Sequence, residues 1–330
     1  MSEGNVLARF PAPPGEGRPL ADLCRELYRG QLLTWREFAE AYAALQAVWI
    51  RELQAGGERF VVQFNPGREA STAADLDPAA LAARPCFLCP DRLPREQAAV
   101  LYREEYLILC NPRPIFSPHF TVSARAHRPQ DLAGGIEDLL ALAKDLAPDL
   151  NVFYNGPDCG ASAPDHLHFQ VYPRGGLPVD RRLAEAAKDM GAFSLACLSL
   201  AGREAVVLAG TEAGDLAGGV RALLAALGRV RGGEGEGMVN CLGGYYGRGW
   251  VLAVFPRRRG RPGAYYLAGE GRRVISPGSV EMGGMVITVH EGDFAALDEG
   301  TLLGIYEDVA LEAPLVREAA AAVRGVLRGA

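Results

Sequence analysis

Short strand-like stretches of apolar residues mark the first half of the chain, beginning with RFVVQFN at 59–65. Further strands of this kind are predicted near 106–111, 119–125, 151–155 and 166–172. Between them, residues 129–147 follow a helical repeat of leucine and isoleucine that opens at Pro129. This helix is expected to cover one face of the sheet. The pattern predicts an α+β fold, in which helices are laid on an antiparallel sheet.

The second half continues with the same kinds of element. Strands are predicted near 192–200, 204–209, 237–246, 249–256 and 284–290, and helices near 212–229 and 294–310. YLILCNPRP (106–114) and VLAVFPRRR (251–259) are loosely alike, which suggests a second, degenerate copy of the first unit. The alanine-rich residues 313–328 predict an end helix.

The N-terminal region differs from both units. Residues 1–18 are rich in proline and glycine and are expected to form a loose arm. Residues 19–54 have helical periodicity, with apolar stripes formed by Leu23, Leu27, Phe38, Tyr42, Leu45 and Trp49. We therefore expect a helical extension at 1–58, a catalytic unit at 59–190 and a second unit at 191–330.

Composition narrows the class of protein. The 330 residues are 49% hydrophobic and 22% charged, and their formal net charge of −6 argues against a nucleic-acid binder. The seven cysteines include several in apolar strand-like runs, as expected of reduced thiols. The sequence shows no apolar leader and no run of about 18 apolar residues. These features predict a cytoplasmic protein with no membrane or nucleic-acid partner.

The candidate chemistry is concentrated in NVFYNGPDCGASAPDHLHFQVYPR, residues 151–174. His166, His168 and Gln170 alternate along a predicted strand, so their side chains should share one face. The preceding turn, Gly160–Ser162, consists of small residues whose N–H groups can approach an anion. A histidine nucleophile beside a phosphate cradle suggests phosphoryl or nucleotidyl transfer. The alternative is two histidines that are simply packed or exposed on a strand.

A Cys-x-x-Cys pair, Cys86 and Cys89, lies between two prolines. Taken alone it could be a redox pair, half of a zinc site or a chance occurrence. The prolines favour a loop, whereas a thioredoxin-type pair opens a helix. Zinc accepts thiolates and imidazoles in a closed tetrahedron, which Cys86, Cys89, His127 and His166 would supply. We expect a structural zinc, with unpaired thiols as the alternative.

Together these motifs resemble the histidine-triad-like superfamily, in the branch of the galactose-1-phosphate uridylyltransferases and the diadenosine tetraphosphate phosphorylases (ATP adenylyltransferases). CFLCPDRLP is similar to the zinc knuckle of the uridylyltransferases, and QFNPGR (63–68) to their Asn-Pro segment. HFTVSARAH resembles the histidine-triad pattern of two histidines flanking a short strand. NGPDCGAS followed by HLHFQ resembles the uridylyltransferase signature, and all these motifs occur in family order.

The second half resembles the C-terminal part of the tetraphosphate phosphorylases more weakly. The similarity lies in the Asn240 segment, GWVLAVFPR (249–257) and SPGSVEMGGMVIT (276–288). The chain departs from the uridylyltransferases at Leu167 and Phe169, where they have proline and glycine. The two zinc cysteines are not expected of the phosphorylases. The sequence therefore leaves the substrate open while indicating the class of reaction.

The resemblance implies a fold of two histidine-triad-like units, the second degenerate. It also implies that His168 attacks a nucleotide α-phosphorus and forms a covalent nucleotidyl intermediate. Gln170 occupies the place of the third histidine of the hydrolytic relatives, and an amide cannot titrate. Capture of the intermediate by phosphate or a sugar phosphate is therefore favoured over hydrolysis.

The resemblance also supplies candidate contacts to a nucleotide or nucleotide-sugar substrate. They are Asn65, Arg68, Asn155, Gly160, Ala161 and Ser162. Arg84 and the basic run at 257–261 could also bind a phosphate, although a solvated hairpin end is favoured for the run. The uridylyltransferase relatives imply a homodimer. The alternatives are a nucleotide-binding regulatory protein without turnover and a histidine-triad hydrolase.

Overall fold

The computed structural model describes residues 17–73, 81, 83–232 and 236–328. The predicted N-terminal arm therefore lies almost wholly outside the described residues. The strands of the described part are β1 Trp49–Ala55, β2 Glu58–Phe64, β3 Ala99–Tyr102, β4 Tyr106–Cys110, β5 Phe120–Ala124, β6 Leu150–Asn155, β7 His168–Pro173, β8 Phe193–Leu200, β9 Arg203–Gly210, β10 Val239–Tyr246, β11 Gly249–Pro256 and β12 Met285–Thr288.

Most of the helices are amphipathic, and they lie before, between and after these strands. They are α1 Leu20–Thr34, α2 Arg36–Leu45, α3 Glu69–Thr72, α4 Leu132–Asp145, α5 Asp180–Lys188, α6 Ala213–Val230, α7 Ser279–Met282, α8 Glu291–Ala296, α9 Glu299–Val309 and α10 Ala313–Arg328. None of the helices in the described part is both long and apolar enough to cross a membrane.

Nine strands form one continuous antiparallel sheet in the order β3-β4-β5-β7-β6-β10-β11-β9-β8. The first five of these come from the first half of the chain and the last four from the second half. The two sets meet where β6 pairs with β10, with Asn155 opposite Asn240. The predicted α+β fold with a large antiparallel sheet is confirmed. The division into units at 59–190 and 191–330 stays a prediction.

Helix α4 covers one face of this sheet, as its leucine and isoleucine repeat predicts. Leu132, Ile136, Leu139, Leu140 and Leu146 are all buried in the main core. Such burial of a helical stripe is the main source of its stability. The predicted helix at 294–310 is instead two helices, because Asp298 begins a new one by accepting a hydrogen bond from the Thr301 N–H.

A smaller sheet of three strands joins the segment 49–64 to the segment 285–288. Strand β2 pairs antiparallel with β1 and parallel with β12, so Val61 lies opposite Met285. The helical prediction for 49–54 is wrong, because this segment is strand β1. Gly56 and Gly57 adopt positive φ values of 55° and 77°, which close a tight hairpin between β1 and β2. Strand β12 thereby brings C-terminal residues beside the motif-bearing region.

Candidate functional site

The four predicted metal ligands form one cluster. Their ligand atoms all lie within 4.8 Å of one another. Cys86 Sγ lies 3.3 Å from His166 Nδ1, and Cys89 Sγ lies 3.3 Å from His127 Nδ1 and 3.7 Å from His166 Nδ1. Sulfur and nitrogen ligands of a tetrahedral zinc are about 3.5 Å apart, given bond lengths near 2.3 and 2.0 Å. The cluster can therefore hold a metal ion.

Neighbouring groups orient both imidazoles. His166 Nε2 donates to the Ala124 carbonyl at 2.7 Å, which leaves Nδ1 facing the cysteines. Burial lowers the pKa of His166 and so favours the neutral form that a metal ligand requires. The Asp165 carboxylate lies 3.6 Å from His127 Nε2. A partner on the second ring nitrogen is typical of metal-ligating histidines.

His166 does not share a strand with His168 and Gln170. Strand β7 begins at His168, and the His166 ring turns toward the cysteines from the preceding turn. The predicted row of three side chains on one strand is therefore correct for His168 and Gln170 and wrong for His166. The reason is that the His166 ring contacts Cys86, which lies beyond the end of the strand.

His168 is held as a neutral imidazole. Its Nδ1–H donates to the His166 carbonyl at 2.8 Å, so Nε2 keeps its lone pair. Burial lowers the pKa of His168 to about 4, and only 4% of the residue is exposed. A neutral imidazole with one oriented, unprotonated nitrogen is suited to nucleophilic attack.

Gln170 is oriented by His119. Its Oε1 lies 2.9 Å from His119 Nε2, while His119 Nδ1 accepts from the Ile115 N–H at 3.2 Å. These contacts place the His119 proton on Nε2, and burial lowers its pKa to about 3. Because Oε1 is occupied as an acceptor, the Gln170 amide retains its N–H groups as donors.

A polar cavity lies next to this strand face, with about 570 Å³ of empty space that includes solvent-open volume. Five of the predicted substrate contacts and the predicted catalytic residue Gln170 line it. The five contacts are Arg68, Asn155, Gly160, Ala161 and Ser162. His168 lies one alternate position before Gln170 on β7 and does not itself form part of the lining. The structure thus brings six of the predicted residues to one cavity.

The small-residue turn is shaped by contact with the second half of the chain. Gly160 has a φ of +92°, and a Cβ there would come within 2.9 Å of Gly278 Cα. Asn155 Oδ1 accepts from Asn240 Nδ2 at 2.9 Å and from the Ser279 N–H at 2.7 Å. The cavity is therefore walled by both halves of the chain.

Two further predicted residues lie beside the cavity. Asn65 Nδ2 donates to Gln63 Oε1 and to the Pro114 carbonyl, both at 3.0 Å, and Asn65 does not line the cavity. Arg84 Nη2 donates to the Ser162 carbonyl at 2.6 Å. Arg84 thereby connects the small-residue turn to the cysteine segment.

The basic run is not a solvated hairpin end. Arg257 is fully buried, and its guanidinium donates to carbonyl oxygens including those of Pro277 and Gly260, both at 2.9 Å. Burial lowers its pKa. Arg261 lines the cavity and donates to Ser276 Oγ at 3.2 Å. The solvated interpretation is therefore wrong for these two residues, because the run turns inward over the second half.

Comparisons with known proteins agree with this description. The described sheets and helices are similar to yeast Ap4A phosphorylase Apa2 in complex with Ap4A, with a TM-score of 0.56, 16% identity, and coverage of 87% of this chain and 97% of that one. Apa2 in complex with AMP gives a TM-score of 0.53 over 84% and 95% of the two chains, again at 16% identity. The chain has the Ap4A phosphorylase fold.

The Ap4A phosphorylase fold confirms the fold that the resemblance predicted from sequence. A uridylyltransferase mutant is also similar, at a TM-score of 0.37 and 11% identity over 84% of this chain and 99% of that one. A family described as a domain of unknown function (DUF4922) matches residues 27–173, which include the metal cluster, His168 and Gln170. No curated protein matches the sequence significantly.

Gln130 was not identified from the sequence. Its side chain joins strands β6 and β7 of the Ap4A phosphorylase fold where the two strands diverge. Its Oε1 accepts from the His168 N–H at 2.8 Å, and its Nε2 donates to the carbonyls of Asn155 (3.0 Å) and His168 (3.2 Å). These side-chain contacts take the place of the backbone hydrogen bonds that the ends of β6 and β7 do not form with each other. No spacing or motif signals this role, because it depends on where the two strands separate.

We expect Gln130→Leu to slow modification of His168 by a nucleotide substrate at least about tenfold. Leucine would leave the buried His168 N–H and two carbonyls unpaired, each costing about 1–3 kcal/mol. The measurement is the initial rate of covalent labelling per folded protein. Gln97→Leu is the matched control, since Gln97 is equally buried and donates to Cys110 away from His168. Equal slowing in both variants would contradict a positioning role.

Proposed function

We propose that the chain is a nucleotidyltransferase or phosphorylase that works through a covalent nucleotidyl-His168 intermediate. The observation that carries this proposal is the geometry of His168. Its Nδ1–H is bound by the His166 carbonyl, its Nε2 is unprotonated, and Gln170 follows on the same strand face. A packed structural histidine needs neither this orientation nor an adjacent polar cavity.

The Ap4A phosphorylase fold supports a nucleotide substrate. Apa2 is described in complexes with AMP and with Ap4A. In this chain, the counterpart of a nucleotide site is the cavity lined by Gln170, Arg68 and the Gly160–Ser162 turn. We infer that this cavity binds the phosphates of a nucleotide sugar or a dinucleoside polyphosphate.

In the first step, His168 Nε2 attacks the α-phosphorus and forms a P–N bond. The bond between the α-phosphorus and the bridging oxygen breaks, and the leaving phosphate takes its electron pair. The departing oxygen leaves as a phosphate oxygen anion, so no proton donor is required. The developing charge on the α-phosphate is stabilised by N–H donors of Gly160–Ser162 and of the Gln170 amide.

In the second step, an oxygen of inorganic phosphate or a sugar phosphate attacks the same phosphorus. The P–N bond breaks, and its electron pair returns to His168 Nε2. The His166 carbonyl holds the Nδ1 proton throughout, so the imidazole stays in the reactive tautomer. A covalent intermediate usually speeds a reaction because it replaces one difficult displacement with two easier ones.

The remaining predicted contacts have distinct proposed roles. Asn155 and Ser162 bind the α-phosphate or the adjoining ribose. Arg68 binds a second phosphate, because burial lowers its pKa only to about 10 and leaves it a cation. Asn65 acts indirectly by fixing the turn that begins at Pro66 and carries Arg68.

The metal of the four-residue cluster is proposed to be a structural zinc. Cys86, Cys89, His127 and His166 would fill all four positions of a tetrahedron with protein atoms. A metal ion in such a closed site would crosslink the chain and would take no part in the reaction. It would fix His166, whose carbonyl in turn orients the His168 ring.

Product analysis tests the proposal. A nucleotide substrate is incubated with the protein and millimolar inorganic phosphate, and the nucleoside mono- and diphosphates formed are separated. The proposal expects mainly nucleoside diphosphate, since Gln170 offers no titratable group to activate water. Monophosphate alone, whatever acceptor is present, would indicate a hydrolase.

We expect Gln170→His to shift this partition toward water. The new imidazole has an intrinsic pKa near 6.5 and could assist proton transfer, an effect worth about 10²–10⁴-fold when the geometry fits. The ratio of monophosphate to diphosphate should rise in the variant. Gln170→Asn provides the control, because it changes the side chain without adding a titratable group. A ratio that rises equally in both variants would contradict this role for Gln170.

A further inference from the structure

Three side chains in hydrogen-bond contact lead from the second half of the chain to the cavity. They are Arg257, Asn240 and Asn155, and the first two are fully buried. Asn155 ends β6, lies opposite Asn240 on β10, and lines the cavity. Only Asn155 takes part in the proposed mechanism, so the buried guanidinium and the buried amide behind it have no role in it.

The orientation of the Asn240 amide is determined by its neighbours on both sides. Arg257 Nη1 donates to Asn240 Oδ1. A guanidinium offers donors and no acceptor, so it selects the oxygen of the amide. On the other side, Asn240 Nδ2 donates to the Cys159 carbonyl at 2.7 Å. Because a carbonyl oxygen only accepts, both contacts require the same orientation.

The Asn240 amide in turn orients Asn155. Asn240 Nδ2 also donates to Asn155 Oδ1 at 2.9 Å, and the Ser279 N–H donates to the same oxygen at 2.7 Å. The Asn155 NH2 group therefore points away from both donors. Among the described residues it has no hydrogen-bond acceptor, although Asn155 is only 7% exposed. Buried amide groups are normally paired, so the acceptor is expected to come from a bound ligand.

Arg257 also supports the second donor to Asn155. Its Nη1 donates to the Pro277 carbonyl at 2.9 Å, two residues before Ser279. The Ser279 hydroxyl donates to the Tyr154 carbonyl at 2.7 Å, which holds this segment against β6. One buried guanidinium therefore contacts the side chain of the first donor and the segment of the second.

We propose that Arg257 and Asn240 are positioning residues that turn the NH2 group of Asn155 toward the α-phosphate of a bound nucleotide. An amide has a donor on one side and an acceptor on the other. The reverse orientation would place the Asn155 oxygen against a phosphate oxygen and repel it. This inference rests on the proposed function and deepens it, because it names the atom that meets the phosphate and the residues that aim it.

Three substitutions test the orientation of the amides. Asn155→Asp keeps an oxygen for both accepted hydrogen bonds and replaces only the NH2 group, with an oxygen. Asn240→Asp keeps an acceptor for Arg257 but sets an oxygen against Asn155 Oδ1, so the Asn155 amide must turn over. Asn240→Leu removes the contact without reversing the amide, because the Ser279 N–H still holds Asn155 Oδ1.

The measurements are the Kd values of AMP, GMP and UMP and the thermal unfolding midpoint of each protein. For the nucleotide that wild type binds best, Asn155→Asp and Asn240→Asp should each raise Kd at least about tenfold. Asn240→Leu should raise it by about threefold at most, because Asn155 stays correctly oriented. Its midpoint should nevertheless be lower than that of Asn240→Asp, because leucine offers no acceptor to the buried Arg257. A purely structural role would make the less stable leucine variant the weaker binder.

Asn111→Asp is the control for the added charge, since Asn111 does not line the cavity and its partner Thr121 has a hydroxyl that can donate instead. It should bind within about twofold of wild type, and a tenfold loss there would overturn the proposal. Unchanged binding in folded Asn155→Asp overturns it even if Asn240→Asp fails to fold. Binding by Asn240→Leu that is as weak as that of Asn240→Asp also overturns it. If wild type binds none of the three nucleotides, the proposed nucleotide site is itself wrong, and this inference falls with it.

Discussion

His168→Asn is expected to fold normally and to lose turnover by at least about a thousandfold, as removal of a nucleophile usually does. The asparagine amide can still donate a hydrogen bond to the His166 carbonyl, so the buried contact at 2.8 Å has a replacement. It offers no nucleophilic nitrogen in place of Nε2. The measurements are steady-state turnover of a nucleotide substrate and the thermal unfolding midpoint of both proteins.

His290→Asn is the matched control for this substitution. His290 is an exposed histidine that lies 3.3 Å from Glu69 and outside the proposed chemistry. The control should retain wild-type turnover. If His168→Asn keeps more than about a few per cent of activity while folded, another residue is the nucleophile and the two-step mechanism is wrong.

Removal of the metal is expected to produce the largest loss of stability. Purified protein should contain one zinc per chain, and a chelator strong enough to remove it should lower the thermal midpoint by about 10 °C or more. The physical reason is that the ion would crosslink the cysteine loop to His127 and to the turn before β7. Cys86→Ser should reproduce both the loss of zinc and the loss of stability.

Cys197→Ser provides the comparison, since Cys197 is a half-buried free cysteine outside the cluster. It should keep the full zinc content. Elemental analysis that finds no zinc in protein purified without chelator would remove the zinc assignment. The fold could survive that result, because it also rests on the continuous nine-stranded sheet and its core.

The sequence predicted the elements whose periodicity is strong. The strands of the large sheet, except the short β3, were predicted closely, because most of them are short apolar runs rich in β-branched and aromatic residues. The grouping of Cys86, Cys89, His127 and His166 was also predictable, since few residue types bind zinc and the chain has only five histidines. Strand β1 was predicted from its apolar stripe to be part of a helical segment. The Gly56-Gly57 turn, which closes the β1–β2 hairpin, determines the structure there more than the stripe does.

The rest depends on which distant segments meet. Arg257 looks like a surface charge in sequence. In the structure its guanidinium donates to the Asn240 side chain and to backbone carbonyls of Arg259, Gly260, Pro277 and Val309. Gln130 acquires its role because β6 and β7 separate beyond the pair Phe153 and Gln170. Such contacts have no local sequence signature, so a periodicity argument cannot find them.

The central claim is a nucleotide bound covalently to His168, and quenched intact-mass analysis tests it most directly. The protein is mixed in turn with nucleotide sugars and dinucleoside polyphosphates in the absence of phosphate, and the reaction is quenched within seconds. The protein is then digested to locate the modification under conditions that preserve P–N bonds. The account predicts a mass increase of one nucleoside monophosphate on the peptide that contains His168, and its loss on addition of phosphate. Product formation with no adduct, or an adduct on another residue, would contradict it.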